Sequence, residues 1–547
     1  MNLLLLSLVL LTIAVASVSS AYNPFIQRCE DAPTPVRRIL CEQLQQMDTM
    51  ARIRHTFEPT EKPPLVILHP AYNCQNITCL CPYFRGTVIE HGSVCILKNG
   101  RRLERAVRKE IRHFSEEERE RYHRAMNSLQ RSGEYQRLSR LHSLASRQGG
   151  VHTGPAFLPW HREYLKRVEI AVRLLDPDLA LPYWDSVLDQ NMPDARDSIL
   201  WSPAFYGETD NHGRVKNGPY VDWDTLEGNS QISRDVGGRE TLFTEAHLRI
   251  IQDQPSVVQV MAYTAPRVGC PVLPNWDSFE YLHGNPHQWV GGDMFDPDTS
   301  TNDPIFFQHH AFVDLIWEHW RLNHQNRSSR GTEYPPDNED CSNVQHFRAA
   351  EMFPFAHMLN SDGLSNRYTE AMYTIVARPN CSLINPGCGS PYLFCDVHYK
   401  PPRCVSKARE GGRCDGFEKA DICFNSQCRW GRCVSFDDIF ESEHALSRQF
   451  KEVAFDDGKR NYRNGKDIIS TVLSVATGLG LMAGLLWAAL PLAKRSFSTK
   501  SNALLPPIDS VKETVGESSS ITKKWGQGNY CENIKYGSTT EKSYFSL

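Results

Sequence analysis

Residues 303–320 (DPIFFQHHAFVDLIWEHW) limit the possible folds most, because they put polar groups on a helix face that is normally apolar. Asp303 followed by Pro304 favours a helix start at this point. At helical spacing, one face then carries these side chains: Phe306, His310, Val313, Asp314 and Trp317. An imidazole among aromatics predicts either a hydrogen-bonded core histidine or a metal ligand. The second interpretation requires other imidazoles to converge on it.

Two groups of three histidines supply such partners. They are His142, His152 and His161 in the first group, and His283, His287 and His310 in the second. His283 and His287 are four residues apart, so one helical turn directs both at one ion, and Pro286 between them predicts that they lie in a first turn. The segment HGNPH lacks the glutamate of the zinc-protease motif. Six imidazoles without a thiolate or carboxylate beside them favour copper, and zinc less specifically.

Two apolar segments and the cysteines indicate export and one membrane span. Residues 1–21 have the pattern of a signal peptide. Residues 468–493 contain no charge and are followed by Lys494, which predicts a transmembrane helix with a cytoplasmic end. All but one of the 17 cysteines precede this span, as expected for disulfides formed in an oxidising compartment. Three glycosylation sequons lie on the same side, at Asn76, Asn326 and Asn380. We therefore predict a single-pass type I membrane glycoprotein of the secretory pathway.

Composition divides the rest of the chain. Region 22–104 is typical of a disulfide-stapled module, with a zinc site as the alternative. Block 381–433 carries eight cysteines, a density typical of an EGF-like disulfide scaffold. The other predicted boundaries are a helical domain at 105–345, a connecting segment at 346–380, a juxtamembrane stalk at 434–467 and a cytoplasmic tail at 494–547. Tyr544 and Leu547 in the tail fit a sorting signal for trafficking adaptors, while the net charge of −4 argues against nucleic acid as a partner.

Five segments in a fixed order together resemble the tyrosinase family of type-3 copper proteins. They are the stretch around His142, then HTGPAFLPWHREYL, LPYWD, HGNPHQWVGGDM and DPIFFQHHAFVDLIW. The resemblance covers about residues 105–345. It implies a mainly α fold, in which an antiparallel four-helix bundle with irregular loops holds two copper ions, flanked here by disulfide-rich small modules and one transmembrane helix. The family's ligands match the first histidine group for one copper and the second group for the other, which leaves His309 a structural role.

The resemblance also implies roles for residues around the ligands. Asp314 matches the family's aspartate in its HHxxxD motif and is expected to orient a ligand or to pair with an arginine such as Arg162. Phe306 and Trp160 are expected to wall the site, with plain core packing as the alternative. Glu280, three residues before His283, is a candidate water-orienting base, and a solvated glutamate is the alternative.

Two positions depart from the family pattern. Many active tyrosinases have asparagine after the ligand that matches His283, where it helps to position a water that deprotonates monophenols; this chain has Gly284. Some relatives carry a cysteine two residues before the ligand that matches His152, and this cysteine forms a thioether with the ligand; this chain has Gly150. The first departure puts monophenol hydroxylation in doubt, and the second excludes a thioether.

The resemblance implies an enzyme that uses O2 and two copper ions to hydroxylate monophenols such as tyrosine and to oxidise o-diphenols to o-quinones. The quinones would feed melanin synthesis or cross-link proteins. The overall organisation is similar to the membrane-bound tyrosinases of pigment organelles, and 381–433 resembles a segment of invertebrate tyrosinase-like proteins, which implies a melanosome-like lumen or the cell exterior. The alternatives are a catechol oxidase without monophenolase activity, a zinc-loaded tyrosinase-related isomerase and a haemocyanin-like O2-binding protein.

Overall fold

The computed structural model describes residues 28–56, 68–89, 94–272, 275–355, 357–441 and 444 of the 547-residue chain. The chain divides after Phe436 into two units, and the structure describes the second unit at residues 437–441 and 444. None of the described helices is long and apolar enough to cross a membrane. The signal peptide at 1–21, the span at 468–493 and the tail at 494–547 lie outside the described residues.

Helices dominate the described part of the first unit. Seven of them have eight residues or more: α1 Pro35–Thr56, α2 Glu116–Arg131, α3 Glu134–Gln148, α4 Phe157–Leu175, α5 Glu245–Gln252, α6 Phe279–Val290 and α7 Ile305–His324. Single helical turns occur at Ile77–Leu80, Val187–Gln190, Val257–Val260 and Arg327–Arg330. The segment 303–320 is helical as predicted from Ile305 onward, with Pro304 as the N-cap, and Oδ1 of Asp303 accepts the Ile305 N–H at 3.2 Å. The helix-rich part of the predicted fold is therefore confirmed.

Within the described ranges, the strands are short and form four two-stranded sheets. They are β1 Thr87–Ile89, β2 Val94–Ile96, β3 Ala106–Arg108, β4 Tyr373–Ile375, β5 Leu393–Asp396, β6 Arg403–Ser406, β7 Ser426–Arg429 and β8 Arg432–Ser435. Three pairs are antiparallel neighbours in sequence, whereas β3 and β4 pair in parallel with Ala106 opposite Tyr373. This pairing joins the segments that precede and follow the helical core.

The described residues form eight disulfides, and seven of them lie in the flanking modules. Three lie in the N-terminal region, one spans the helical domain, and four lie in 381–433: Cys29–Cys41, Cys74–Cys79, Cys81–Cys95, Cys270–Cys341, Cys381–Cys395, Cys388–Cys404, Cys414–Cys428 and Cys423–Cys433. Every cysteine before the predicted span is thus paired, which confirms the disulfide prediction and leaves no thiolate for a zinc site in 22–104.

One local expectation was wrong. Pro286 was expected in a first turn, but α6 begins at Phe279 and continues through the proline. A proline in a helix interior costs about 3 kcal/mol, and this helix tolerates it because every residue except His287 is buried.

Candidate metal centre

The six predicted histidines converge from four helices and one loop. His142 lies on α3, His161 on α4, the pair His283 and His287 on α6, and His310 on α7, while His152 lies in the loop between α3 and α4. The ligand atoms of the first group lie within 4.8 Å of one another, as do those of the second group together with the adjacent His309. The rings of His161 and His310 stack across the two groups with centroids 4.2 Å apart. The two groups therefore form one continuous cluster.

Backbone carbonyls fix the orientation of four of these rings. The Nδ1 atoms of His142, His161, His283 and His287 face the carbonyls of Pro297, Phe157, Glu280 and Met294 at 2.6–2.9 Å. A ring nitrogen that faces a carbonyl carries the proton, which leaves Nε2 with a bare lone pair. The Nε2 atoms of His161 and His283 are buried without a hydrogen-bond partner.

Close contacts between Nε2 atoms show that the cluster suits a cation. Nε2 of His142 lies 3.3 Å from Nε2 of His152, and Nε2 of His287 lies 3.1 Å from that of His310. Because Nδ1 of His142 and Nδ1 of His287 hold the protons of their rings, their Nε2 lone pairs are directed at His152 and His310, where a bound metal ion would accept them. The donor set of neutral imidazoles fits copper or zinc.

Burial keeps these imidazoles neutral. Burial, followed by the neighbouring imidazoles, lowers the pKa of His142, His161, His283 and His310 well below the ordinary value. Burial lowers the pKa of His287 to about 4, although its bond to the Met294 carbonyl opposes the shift. Neutral rings are the form that binds metal, so no proton has to be displaced at neutral pH.

Aromatic rings wall the cluster on both sides. Phe306, predicted from the sequence, stacks on His310 with centroids 4.2 Å apart and lies 4.9 Å from His142. Trp160 lies 5.2 Å from His161. Phe157 was missed by the sequence analysis, although its ring lies 4.5 Å from His283 and 4.8 Å from His161. Phe157 precedes His161 by four residues, about one helical turn, and this spacing could have predicted that the two rings lie on the same face of α4.

Glu280 links the two histidine groups. Its Oε1 accepts the Thr153 N–H at 2.8 Å and lies 3.3 Å from Nδ1 of His152, while its Oε2 accepts the Thr264 hydroxyl. Thr153 has a φ of 84°, a backbone conformation that residues other than glycine rarely adopt. A second missed residue, His346, contacts the Thr153 hydroxyl at 3.0 Å. Oε1 thus contacts both the loop and its ligand, while Oε2 binds Thr264.

Asp314 lies in a buried ion-pair network. Its Oδ1 accepts from Arg162 Nε at 2.7 Å, the pairing anticipated from the sequence, and its Oδ2 accepts from Arg108 at 3.0 Å and from the Tyr373 hydroxyl at 2.6 Å. Arg162 also binds Glu318 at 2.7 Å. The network fixes the helix turn that follows His310.

Four other histidines have protein partners. Nε2 of His309 on α7 donates to the His283 carbonyl on α6 at 3.0 Å, so this ring links the two helices by a hydrogen bond. His123 contacts the Tyr220 hydroxyl and His113 the Cys388 carbonyl, both at 2.8 Å. His319 is half-buried on the outer side of α7 and contacts Asn323.

Comparison with known proteins decides the family. Residues 132–323 match the model of the common central domain of tyrosinase. A tyrosinase from Streptomyces glaucescens is 35% identical over 237 residues, which are 40% of this chain and 83% of that protein. The chain belongs to the tyrosinase family. A tyrosinase-like protein of Caenorhabditis elegans, tyr-3, is 46% identical over 419 residues, which are 74% of this chain and 60% of that protein's length. A solved functional unit of octopus haemocyanin aligns with a TM-score of 0.36 at 18% identity, over 50% of this chain and 68% of that one.

The structure shows what surrounds Gly284 and Gly150, the two positions at which this chain departs from the tyrosinase-family pattern. A Cβ at Gly284 would lie 2.5 Å from Cδ2 of Leu40 on α1, so α1 occupies the space beside His283. A Cβ at Gly150 would lie 3.4 Å from the side chain of Gln345, an ordinary contact. His152 has no thioether partner there, and the neighbouring Glu280 carboxylate holds it instead.

Proposed function

We propose that this chain is a type-3 copper oxidase that uses O2 to hydroxylate monophenols and to oxidise o-diphenols to o-quinones. The observation that carries the proposal is the convergence of six imidazoles, four of them oriented by backbone carbonyls, with two pairs of Nε2 atoms about one hydrogen-bond length apart. Copper ions bound there would supply the electron transfer between a phenol and O2. Family membership supports the same chemistry.

The protein's own groups orient the ligands and exclude water. The carbonyls of Pro297, Glu280 and Met294 fix the ring tautomers, and Phe157 and Phe306 keep the cluster dry. Holding each ligand in one orientation avoids reorganisation during the reaction. The Asp314 network does this indirectly, by fixing the turn of α7 that carries His310.

A catechol oxidase without monophenolase activity is the second candidate. Gly284 offers no side chain to position a water, and both oxygens of Glu280 already accept from Thr153 and Thr264. The second candidate therefore rests on the missing side chain at position 284 and on the hydrogen bonds that Glu280 already accepts. Melanin synthesis or protein cross-linking would follow from quinone production in either case.

The eight disulfides support a location in the secretory pathway or outside the cell, because such bonds persist in oxidising compartments. We also propose that residues 468–493 anchor the chain in a membrane. The full-length chain should then fractionate with membranes, and the variant Leu481→Arg should not.

The function is tested with the full-length chain loaded with copper and supplied with catechol or a monophenol. Oxidising catechol consumes one O2 for two quinones and forms two waters, whereas converting a monophenol to the quinone consumes one O2 for one quinone and forms one water. Quinone from both substrates in these ratios supports the proposal, and quinone from catechol alone selects the catechol oxidase. His287→Ala is the control that should abolish both. Tight zinc binding without copper uptake, or reversible O2 uptake without quinone, would refute an oxidase.

A further inference from the structure

A row of buried aromatic rings runs from the histidine cluster towards the protein surface. Trp160 lies beside the ligand His161, and the ring of Tyr164 on α4 follows with its centroid 5.0 Å from that of Trp160. The row continues through four further rings with successive centroid distances of 4.7–5.8 Å: Phe307, Tyr135, Trp223 and Tyr220. Val221, the residue after Tyr220, is 36% exposed, so the outer end of this aromatic row lies just below the surface.

The aromatic row consists mainly of side chains that can lose an electron. Tryptophan and tyrosine are oxidised more easily than phenylalanine, so Phe307 is the one member of the row that does not hold an electron vacancy. An electron crosses Phe307 in one step between Tyr164 and Tyr135, because both of these rings contact it. Core packing alone needs only the apolar ring. The hydroxyl groups and indole nitrogens are therefore what distinguishes the row from plain core.

The hydrogen bonds along the row decide where an electron vacancy can stay. The hydroxyls of Tyr164 and Tyr135 donate to the carbonyls of Leu138 and Thr301 at 3.0 and 2.8 Å. A carbonyl is too weak a base to take the proton that a tyrosine loses on oxidation. Nε1 of Trp223 is buried without a hydrogen-bond partner, and a buried donor of this kind calls for an explanation such as a redox role. An electron vacancy is therefore passed on by these three residues and not trapped there.

Tyr220 differs from the other members of the row because its hydroxyl faces a base. The hydroxyl lies 2.8 Å from Nδ1 of His123 on α2, and both side chains are buried. Burial, followed by the charge of Arg119, lowers the pKa of His123 to about 3, so the ring is neutral at neutral pH and has one bare nitrogen. An oxidised tyrosine is a strong acid and transfers its proton even to a weak base. The vacancy therefore comes to rest on the Tyr220–His123 pair.

We propose that the aromatic row carries electrons from the protein surface to the histidine site when O2 is reduced there without a phenol, and so protects the imidazole ligands from oxidation. The inference rests on the proposed function, which supplies O2 as the oxidant. Reducing O2 to two waters takes four electrons and four protons. A reduced copper pair would supply two of the electrons, and a phenol normally supplies the other two.

Without a phenol, the row supplies the two missing electrons one at a time. In each transfer, Tyr220 loses one electron through the row to the histidine site and its hydroxyl proton to His123. A small one-electron reductant of the ascorbate class then returns an electron to Tyr220, and the proton returns from His123. The four protons that form the two waters come from solvent.

The test looks for the tyrosyl radical directly. The full-length chain is loaded with copper, reduced, freed of reductant, mixed with O2 without a phenol, and frozen for electron paramagnetic resonance. A tyrosyl signal that narrows when the protein contains ring-deuterated tyrosine is expected, and it should be lost in Tyr220→Phe and in Trp223→Phe. Tyr392→Phe and Trp320→Phe are the matched controls and should keep the signal, because both rings are buried but contact other partners.

Catechol oxidation by the same proteins separates the possible failures. Unchanged quinone formation in Tyr220→Phe and Trp223→Phe, with the radical lost and fewer turnovers before inactivation, supports the row. Quinone formation without a radical in the unsubstituted chain, or with the radical retained in either variant, overturns the row and leaves the oxidase standing.

If catechol is not oxidised, the oxidase is refuted and the row is tested without copper. A ruthenium photo-oxidant is attached to the apo-protein at the surface through Val221→Cys and excited by a laser flash. A tyrosyl radical that is absent in Tyr220→Phe and forms more slowly in His123→Phe supports the Tyr220–His123 pair. No radical, or one that forms equally fast in His123→Phe, overturns the proposal.

Discussion

Replacing Glu280 with glutamine should weaken copper binding at the first histidine group. The carboxylate accepts from the Thr153 N–H and the Thr264 hydroxyl and lies 3.3 Å from Nδ1 of His152. An amide is uncharged and has one accepting oxygen, so its NH2 group faces either the Thr153 N–H, which cannot accept, or the Thr264 hydroxyl, which can. In either orientation the hydrogen bonds that a charged carboxylate made to Thr153 and His152 are lost or weakened, and bonds to a charged group are worth about 1.5–3 kcal/mol.

That loss corresponds to about a tenfold to 100-fold lower affinity for one of the two copper ions. The assay is a copper titration of the full-length chain against a competing chelator, with circular dichroism to show that the fold is intact. Glu370→Gln is the matched control, because that carboxylate pairs with Arg327 on the surface. If the Glu280→Gln variant binds both copper ions with affinities within about twofold of those of the unsubstituted protein, the argument that Glu280 holds His152 in its binding orientation is refuted.

Three further predictions concern stability. Asp314→Ala leaves two buried arginines without their shared counterion, and denaturant unfolding should show a loss of about 3–5 kcal/mol; a loss under about 1 kcal/mol would contradict the network. Burial alone would raise the pKa of Glu318, but its two arginine partners lower it to about 2 from 4.5. Glu318 therefore contributes on the order of 3 kcal/mol to the free energy of unfolding above pH 4.5, and this contribution is lost as the pH falls towards 2. In Glu318→Gln, the measured free energy of unfolding should depend less on pH over that range. Replacing Cys270 and Cys341 by serine opens a link between residues 71 apart and should cost about 4 kcal/mol in thermal or denaturant unfolding.

The sequence predicted the parts of the site that depend on local spacing. His283 and His287 share a face because they are one helical turn apart, and Asp314 lies one turn beyond His310. The Arg162–Asp314 pair also came from the motif pattern, and it is present in the structure at 2.7 Å. Periodicity and motif order carry this kind of information.

Contacts between distant segments could not be predicted in this way. Nothing near Gly284 indicates that Leu40 fills the space beside it, because the two residues belong to helices far apart in sequence. The same holds for His346, which supports the Thr153 loop from outside the motif region. Pro286 shows a different limit, since burial of nearly the whole of α6 outweighs the local preference of proline.

The parallel pairing of β3 with β4 has a consequence for the order of assembly. Arg108 at the end of β3 reaches Asp314 across 206 residues, and Tyr373 at the start of β4 reaches the same carboxylate. During synthesis the first strand emerges long before its partner, so it waits unpaired while the four ligand-bearing helices are made. Closing so long a loop is slow. The turn of α7 that carries His310 can therefore be fixed only after residue 375 has left the ribosome. A chain truncated before β4 should be retained by chaperones even though all six histidines are present.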